Sequence, residues 1–141
     1  MAGAYQLAFE EAHRIIKRGD ILALRHALDS GLDPNLANQF SWTPLMLTAI
    51  QGNRPVGELL LARGADPHAT NKFGDTALSL ATHGGHEAFV QWLLRNGAAT
   101  DCKPHGWQLS DWIDQTSGLP PRKIERVLDL LGRRPSSAKL H

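Results

Sequence analysis

The sequence predicts an all-α protein built as a solenoid, with four helix–turn–helix units stacked side by side and joined by β-turn fingers. Three observations carry that expectation. Glycine recurs every 33 residues, at Gly31, Gly64 and Gly97 and again at Gly19, Gly52, Gly85 and Gly118. Other residue types keep the same register: Thr43 with Thr76, Leu45 with Leu78, and Asn38 with Asn71. Finally, the helical stretches between these glycines are too short to be stable alone, so each unit needs neighbours to cover its faces.

The unit is clearest between Ser41 and Asn71. Thr43 is placed to cap a helix by accepting a backbone N–H, and Pro44 suits the first helical position, where its missing donor would be unpaired anyway. Gly52 can end that helix in the left-handed conformation, and Gly64 can end the next. The stretches Trp42-Thr43-Pro44-Leu45, Asp75-Thr76-Ala77-Leu78, Gly85-His86-Glu87 and Gly64-Ala65-Asp66-Pro67 resemble ankyrin repeats. The resemblance covers roughly residues 5 to 132. Two departures fall in the first helices: the histidine usual after Thr-Pro-Leu, whose hydrogen bonds with Thr usually tie repeats together, is Met46 in one repeat and Ser79 in the next.

Taken in order, a first helix is expected over residues 4 to 18, with Leu7, Phe9, Ala12, Ile15 and Ile16 as its apolar stripe. Glu10 and Glu11 replace the Thr-Pro of a middle repeat, which fits a cap with a polar outer face. Gly19-Asp20 then forms a loop and caps a second helix, from which Leu22, Leu24, Ala27 and Leu28 are expected to pack inward. In the second repeat, Pro55 falls in the tolerated first turn. Gly57 stands where the resembling family usually has valine, in a helix interior where glycine costs roughly 0.5–1 kcal/mol against alanine. It either admits a close neighbour or simply weakens the helix.

The third repeat is regular, with helices over Thr76 to His83 and His86 to Arg95; Phe89 and Trp92 read as core. The fourth opens at Lys103-Pro104-His105-Gly106-Trp107, one residue short of register if Gly106 is the turn glycine. Gln108 to Gln115 would be its first helix, with Trp112 open to either a core or a surface role. Thr116 to Pro121 is a lengthened loop, and Arg122 to Leu131 is an amphipathic last helix with an outward charged face. The repeats thus span about 4–36, 37–69, 70–102 and 103–132 of a single domain over 1–132, and 133–141 is a polar tail expected to be disordered.

Composition points to function only by exclusion. The net charge is +1 over 141 residues, so bulk attraction to nucleic acid or to membranes is not implied. The charge is uneven, because residues 122 to 141 hold six Lys or Arg against Glu125 and Asp129. A single cysteine, Cys102, excludes an internal disulfide and suits a reducing compartment. No basic-then-apolar leader and no run of membrane length is found. A cytoplasmic protein is expected, with the nucleus an option in a eukaryote.

Sites for chemistry are scarce. His83 and His86, with Cys102 and His105, suggest a zinc set, but further ligands are not obvious and His86 holds a place that is structural in the resembling repeats. Cys102 beside His105 lacks an orienting third residue and an oxyanion hole. No phosphate-binding glycine loop follows a strand. Arg133-Arg134-Pro135-Ser136 resembles a basophilic kinase substrate, although a solubilising terminus explains it as well. No enzyme activity, metal or cofactor is expected.

The surface signal is aromatic. The resemblance implies that each turn projects as a finger whose second, third and fifth residues meet a partner, together with the loop-facing ends of the first helices. Here those residues are Gln39, Phe40 and Trp42, then Lys72, Phe73 and Asp75, then Pro104, His105 and Trp107, with Ile50, Gln51 and His83 from the helix ends. Large apolar side chains are out of place in turns that merely connect helices. They form either a stripe for a protein partner or a set of rings packed on one another. The expected function is that of an intracellular adaptor, inhibitor or immunity-type protein, monomeric when unbound. The alternative is a peptide-tail reader with a modified lysine held in a cage of Phe40, Trp42, Phe73, Asp75 and Trp107. Packed helices stand about 8–10 Å apart, which separates Trp42 from Trp107 and counts against one shared cage.

Overall fold

The computed structural model describes residues 2–132 and shows eight α-helices, with no strand among the described residues. They are α1 (Ala2–Arg18), α2 (Ile21–Asp29), α3 (Pro44–Gln51), α4 (Arg54–Ala62), α5 (Ala77–His83), α6 (Glu87–Arg95), α7 (Leu109–Thr116) and α8 (Pro121–Leu130); a 3-10 turn, Pro104–Gly106, precedes α7. The tail expected over 133–141 lies outside the described residues.

Capping fixes the helix starts. Asp20, Thr43, Asn53 and Thr76 each accept a backbone N–H of the first turn with their side chains. Thr76 and Ser79 close a reciprocal pair, Ser79 N–H to Thr76 Oγ1 at 3.1 Å and Thr76 N–H to Ser79 Oγ at 2.9 Å. Serine here therefore locks its own helix start, satisfying two donors that would otherwise be orphaned. Met46, at the same place one repeat earlier, is equally buried and has no hydroxyl to close such a pair.

The helices stack in two rows. α1, α3, α5 and α7 pack in succession along one row, and α2, α4, α6 and α8 along the other. Between the rows lies one continuous core that includes Ile16, Leu24, Leu45, Leu60, Leu78, Phe89, Leu93, Ile113 and Leu128. Two expected members are missing from it, since Leu7 is 67% and Leu22 73% exposed. Each lies two residues, or about 200° of helix rotation, before a core residue (Phe9 and Leu24), and so points away from it.

Gly57 resolves in favour of close approach. It is buried, and a Cβ placed there would lie 2.8 and 2.9 Å from ring carbons of Trp92 and 3.0 Å from Phe89. The rings of α6 rest directly on the backbone of α4.

Ties between repeats come from His86 and Asn35. His86 Nε2 donates to the Ile50 carbonyl at 2.8 Å, satisfying an acceptor in the last turn of α3. A Cβ on Gly52 would lie 2.4 Å from this ring, a contact no side chain tolerates, and Gly52 also sits at φ 71°. Asn35 bridges to the next repeat, giving its amide to the Gly64 carbonyl at 2.9 Å and accepting from Asp66 N–H at 2.7 Å.

Candidate functional site

The fingers are built alike from different residues. In the first, Asn38 N–H donates to Trp42 O, and the Asn38 side chain accepts from Phe40 and Trp42 N–H. In the second, Asn71 makes the same three bonds with Asp75 and Phe73. The tight turn needs a left-handed residue, which is Gly74 at φ 79° in the second finger and Ser41 at φ 65° in the first. In the last finger Gly106 N–H donates to Lys103 O, as Gly74 does to Asn71, so Gly106 is the turn glycine and the register is one residue short.

The fingers also bond to one another. Lys72 N–H donates to Phe40 O at 3.0 Å, and His105 N–H to Phe73 O at 2.6 Å. Pro104 occupies the last finger's equivalent of Lys72 and has no N–H to give. The bond therefore moves one residue along, to His105.

This spacing brings the side-chain rings together. Phe40 and Phe73 have centroids 6.1 Å apart, Phe73 and His105 5.7 Å, His105 and Trp112 5.7 Å, and Trp112 and His83 4.4 Å. Offset contacts at such distances are attractive beyond the area they bury. The rings thus pack on one another, yet Phe40 stays 44% and Phe73 42% exposed. Trp107 and Ile50 are 44% and 48% exposed. Gln39, Gln51, Lys72 and His105 are exposed as well, and His83 is half-buried. Trp42 is half-buried beside an open recess that it lines with Phe9, His13 and Ile50.

Asp75 departs from the expected surface role, being only 3% exposed. Its Oδ2 accepts from Asn71 Nδ2 at 3.2 Å and lies 3.7 Å from His105 Nε2. Trp112, which the sequence leaves open to either role, is buried and joins the finger rings to His83. Its spacing from Leu109 and Ile113, both fully buried, was the available signal.

The paired histidines go to different partners, His86 to Ile50 and His83 to Thr116 Oγ1 at 3.1 Å. The Thr116 hydroxyl donates to Trp112 O at 2.6 Å, so the proton in its bond with His83 belongs to His83 Nε2. No group of three or more His, Cys, Asp or Glu side chains among the described residues is arranged to hold a metal.

Burial pushes the His83 imidazole below its ordinary value of 6.5; the Thr116 backbone and the charge of Asp75 oppose this, and His105 adds to it. A lowered histidine favours the fold when neutral. Its contribution is therefore whole above about pH 6.5 and is lost as pH falls through the unfolded value towards the lowered folded one, with a slope of at most ~1.4 kcal/mol per pH unit for one proton. The wild-type melting temperature should fall further than that of His83→Gln between pH 7 and 5. Parallel pH curves for the two proteins would refute this.

The fold and finger geometry define a helical-repeat solenoid with a ring-bearing finger edge. A family model described as ankyrin repeats (3 copies) matches residues 12–104, well over half of the chain, and the chain belongs to the ankyrin-repeat family. A search of the curated proteins found no match. Ankyrin repeats are generally protein–protein interaction modules and are typically non-catalytic. No helix among the described residues is long and apolar enough to cross a membrane.

Proposed function

We propose that this chain is a non-catalytic binding module that recognises one folded protein through its fingers and the adjoining ends of α3 and α5, acting as an adaptor, inhibitor or immunity-type protein. The observation that carries the reading is the row of rings along the fingers, in which Phe40 and Phe73 are each more than 40% exposed, with Trp107, outside the row, as exposed in the last finger. Contacts within the row orient the rings before any partner arrives, so less side-chain freedom remains to be lost on binding. Gln39, Lys72, Gln51 and His105 would form the polar rim, and His83 and Trp42 the half-buried floor. The proposal takes the unbound protein as a cytoplasmic monomer.

The rings lie in series and do not surround a space, and Asp75 is turned inward. This arrangement supports a broad contact surface over an aromatic cage for a modified lysine.

Affinity capture from native lysate with mass spectrometry supplies the partner, and paired measurements test the surface. Phe73→Ala should weaken binding by ~2 kcal/mol or more, about thirty-fold. It should lower stability by ~1–3 kcal/mol, the worth of its two ring contacts, with Phe40 and His105. A variant that melts early yet binds normally would place the interface elsewhere.

A further inference from the structure

We propose a second binding site at the open end of the finger row, where an extended peptide segment with an apolar residue and a basic residue two positions away takes the place of a missing finger. It does not depend on the ring stripe.

The finger-to-finger bonds form a short ladder in which each finger donates to the one before it. Gln39 occupies in the first finger the place that Lys72 holds in the second, because Asn38 and Asn71 make the same bonds around them. Lys72 N–H is taken by Phe40 O, whereas Gln39 N–H finds no partner among the described residues. The first unit supplies none, since residues 5 to 9, which stand one 33-residue repeat before this finger, are helical within α1. The ladder therefore ends in an unused donor, which is how a sheet edge invites a further strand.

There is room beside that donor for a chain. A groove of about 500 Å³ runs between the first finger, where Asn38 and Gln39 line it, and α1, where Gln6, Phe9, Glu10 and His13 line it. Phe9 and His13 stand with ring centroids 6.4 Å apart and give the floor an apolar patch. Glu10 accepts from the Gln6 amide at 3.3 Å, and no cation among the described residues pairs with it, while Glu11 is matched by Arg14 at 3.0 Å. Side chains of an extended segment alternate, so residues two apart share a face. A carbonyl on Gln39 N–H thus sets one side chain over Phe9 and His13 and the next on that face near Glu10. A basic residue there answers the unmatched carboxylate.

Random heptapeptides displayed on phage and selected against the whole chain test this. The expected binders carry an apolar residue two positions from Lys or Arg, and they slow amide hydrogen exchange at Gln39 without slowing it at Phe73. Gln39→Pro should weaken them about ten-fold, the scale of one backbone hydrogen bond. Its melting temperature should stay unchanged, because Pro104 already fills that place in the last finger. Glu10→Lys, at an exposed helix position, should shift selection towards acidic residues. An empty selection, binders that leave Gln39 exchange unchanged, or full affinity in Gln39→Pro would overturn the proposal. Protection centred on Phe73 and Trp107 would place the peptides on the rings and also sink it. Self-association of the chain that Gln39→Pro abolishes would make the occupant a second copy, which likewise refutes a peptide site.

Discussion

Deleting residues 103–141 is expected to leave a chain that aggregates, or that melts far below the full protein. The fourth unit covers the third on both rows, with α7 packed on α5 and α8 on α6. Leu109, Trp112, Ile113, Val127 and Leu128 are buried in the shared core. Each such side chain is worth ~1.5–3 kcal/mol when buried, and the apolar side chains facing them on α5 and α6 lose their cover with the deletion. The sum is comparable to the whole stability of a typical domain, ~5–15 kcal/mol. Specific ties go too: His105 N–H to Phe73 O, His83 to Thr116, and Arg126 to Glu87 at 3.4 Å. The helices left at the new end are too short to survive with one face in water. Thermal melting and size-exclusion chromatography decide the matter. An unchanged melting temperature with monomeric elution would show that the fourth unit does not cap the stack.

What the sequence displayed well was local chemistry repeated in register. Thr43, Thr76, Asp20 and the glycines of the loops announce themselves because a cap or a left-handed turn needs a particular residue type. The boundaries of α2 to α8 follow from them to within a residue or two. Leu7 and Leu22 are apolar and adjoin their stripes in sequence, yet the angle around the helix excludes both. The site was less readable. Asp75 is at the fifth place of its finger, which in the resembling family faces outward, but here it is buried, with its carboxylate beside Asn71 and beside His105 of the next finger, thirty residues on. No pattern in a single chain encodes that contact. The rings were recognised as a group, while the order in which they stack depends on Pro104 shifting one hydrogen bond from its own position to His105. The place of Gln39 in its finger marks it as exposed. That its N–H ends a ladder became visible only once the other two rungs were in place.

Trp92→Ala should cost ~3–5 kcal/mol, the range for removing a large aromatic side chain from a core. Trp92 is 6% exposed, meets Phe89 edge-on with centroids 5.0 Å apart, and lays its ring against Gly57 of α4. Alanine in its place leaves a void between α4 and α6 that cannot close easily, since Gly57 offers no side chain to enter it. The same geometry predicts the sign of a second change. Gly57→Ala gains ~0.5–1 kcal/mol of helix preference, but its methyl would lie within 3.0 Å of three ring carbons of Trp92 and Phe89. Overpacking of that kind typically costs ~1–3 kcal/mol, so the variant should be less stable than wild type. In the Trp92→Ala background the clash with Trp92 is gone and the methyl occupies part of the void. Gly57→Ala should there be neutral or stabilising, giving a coupling of ~1 kcal/mol or more across the pair. Denaturant melts of the four proteins in this cycle measure it. Additive effects would mean that the ring does not rest on the glycine, and that Gly57 is only a weak point in α4.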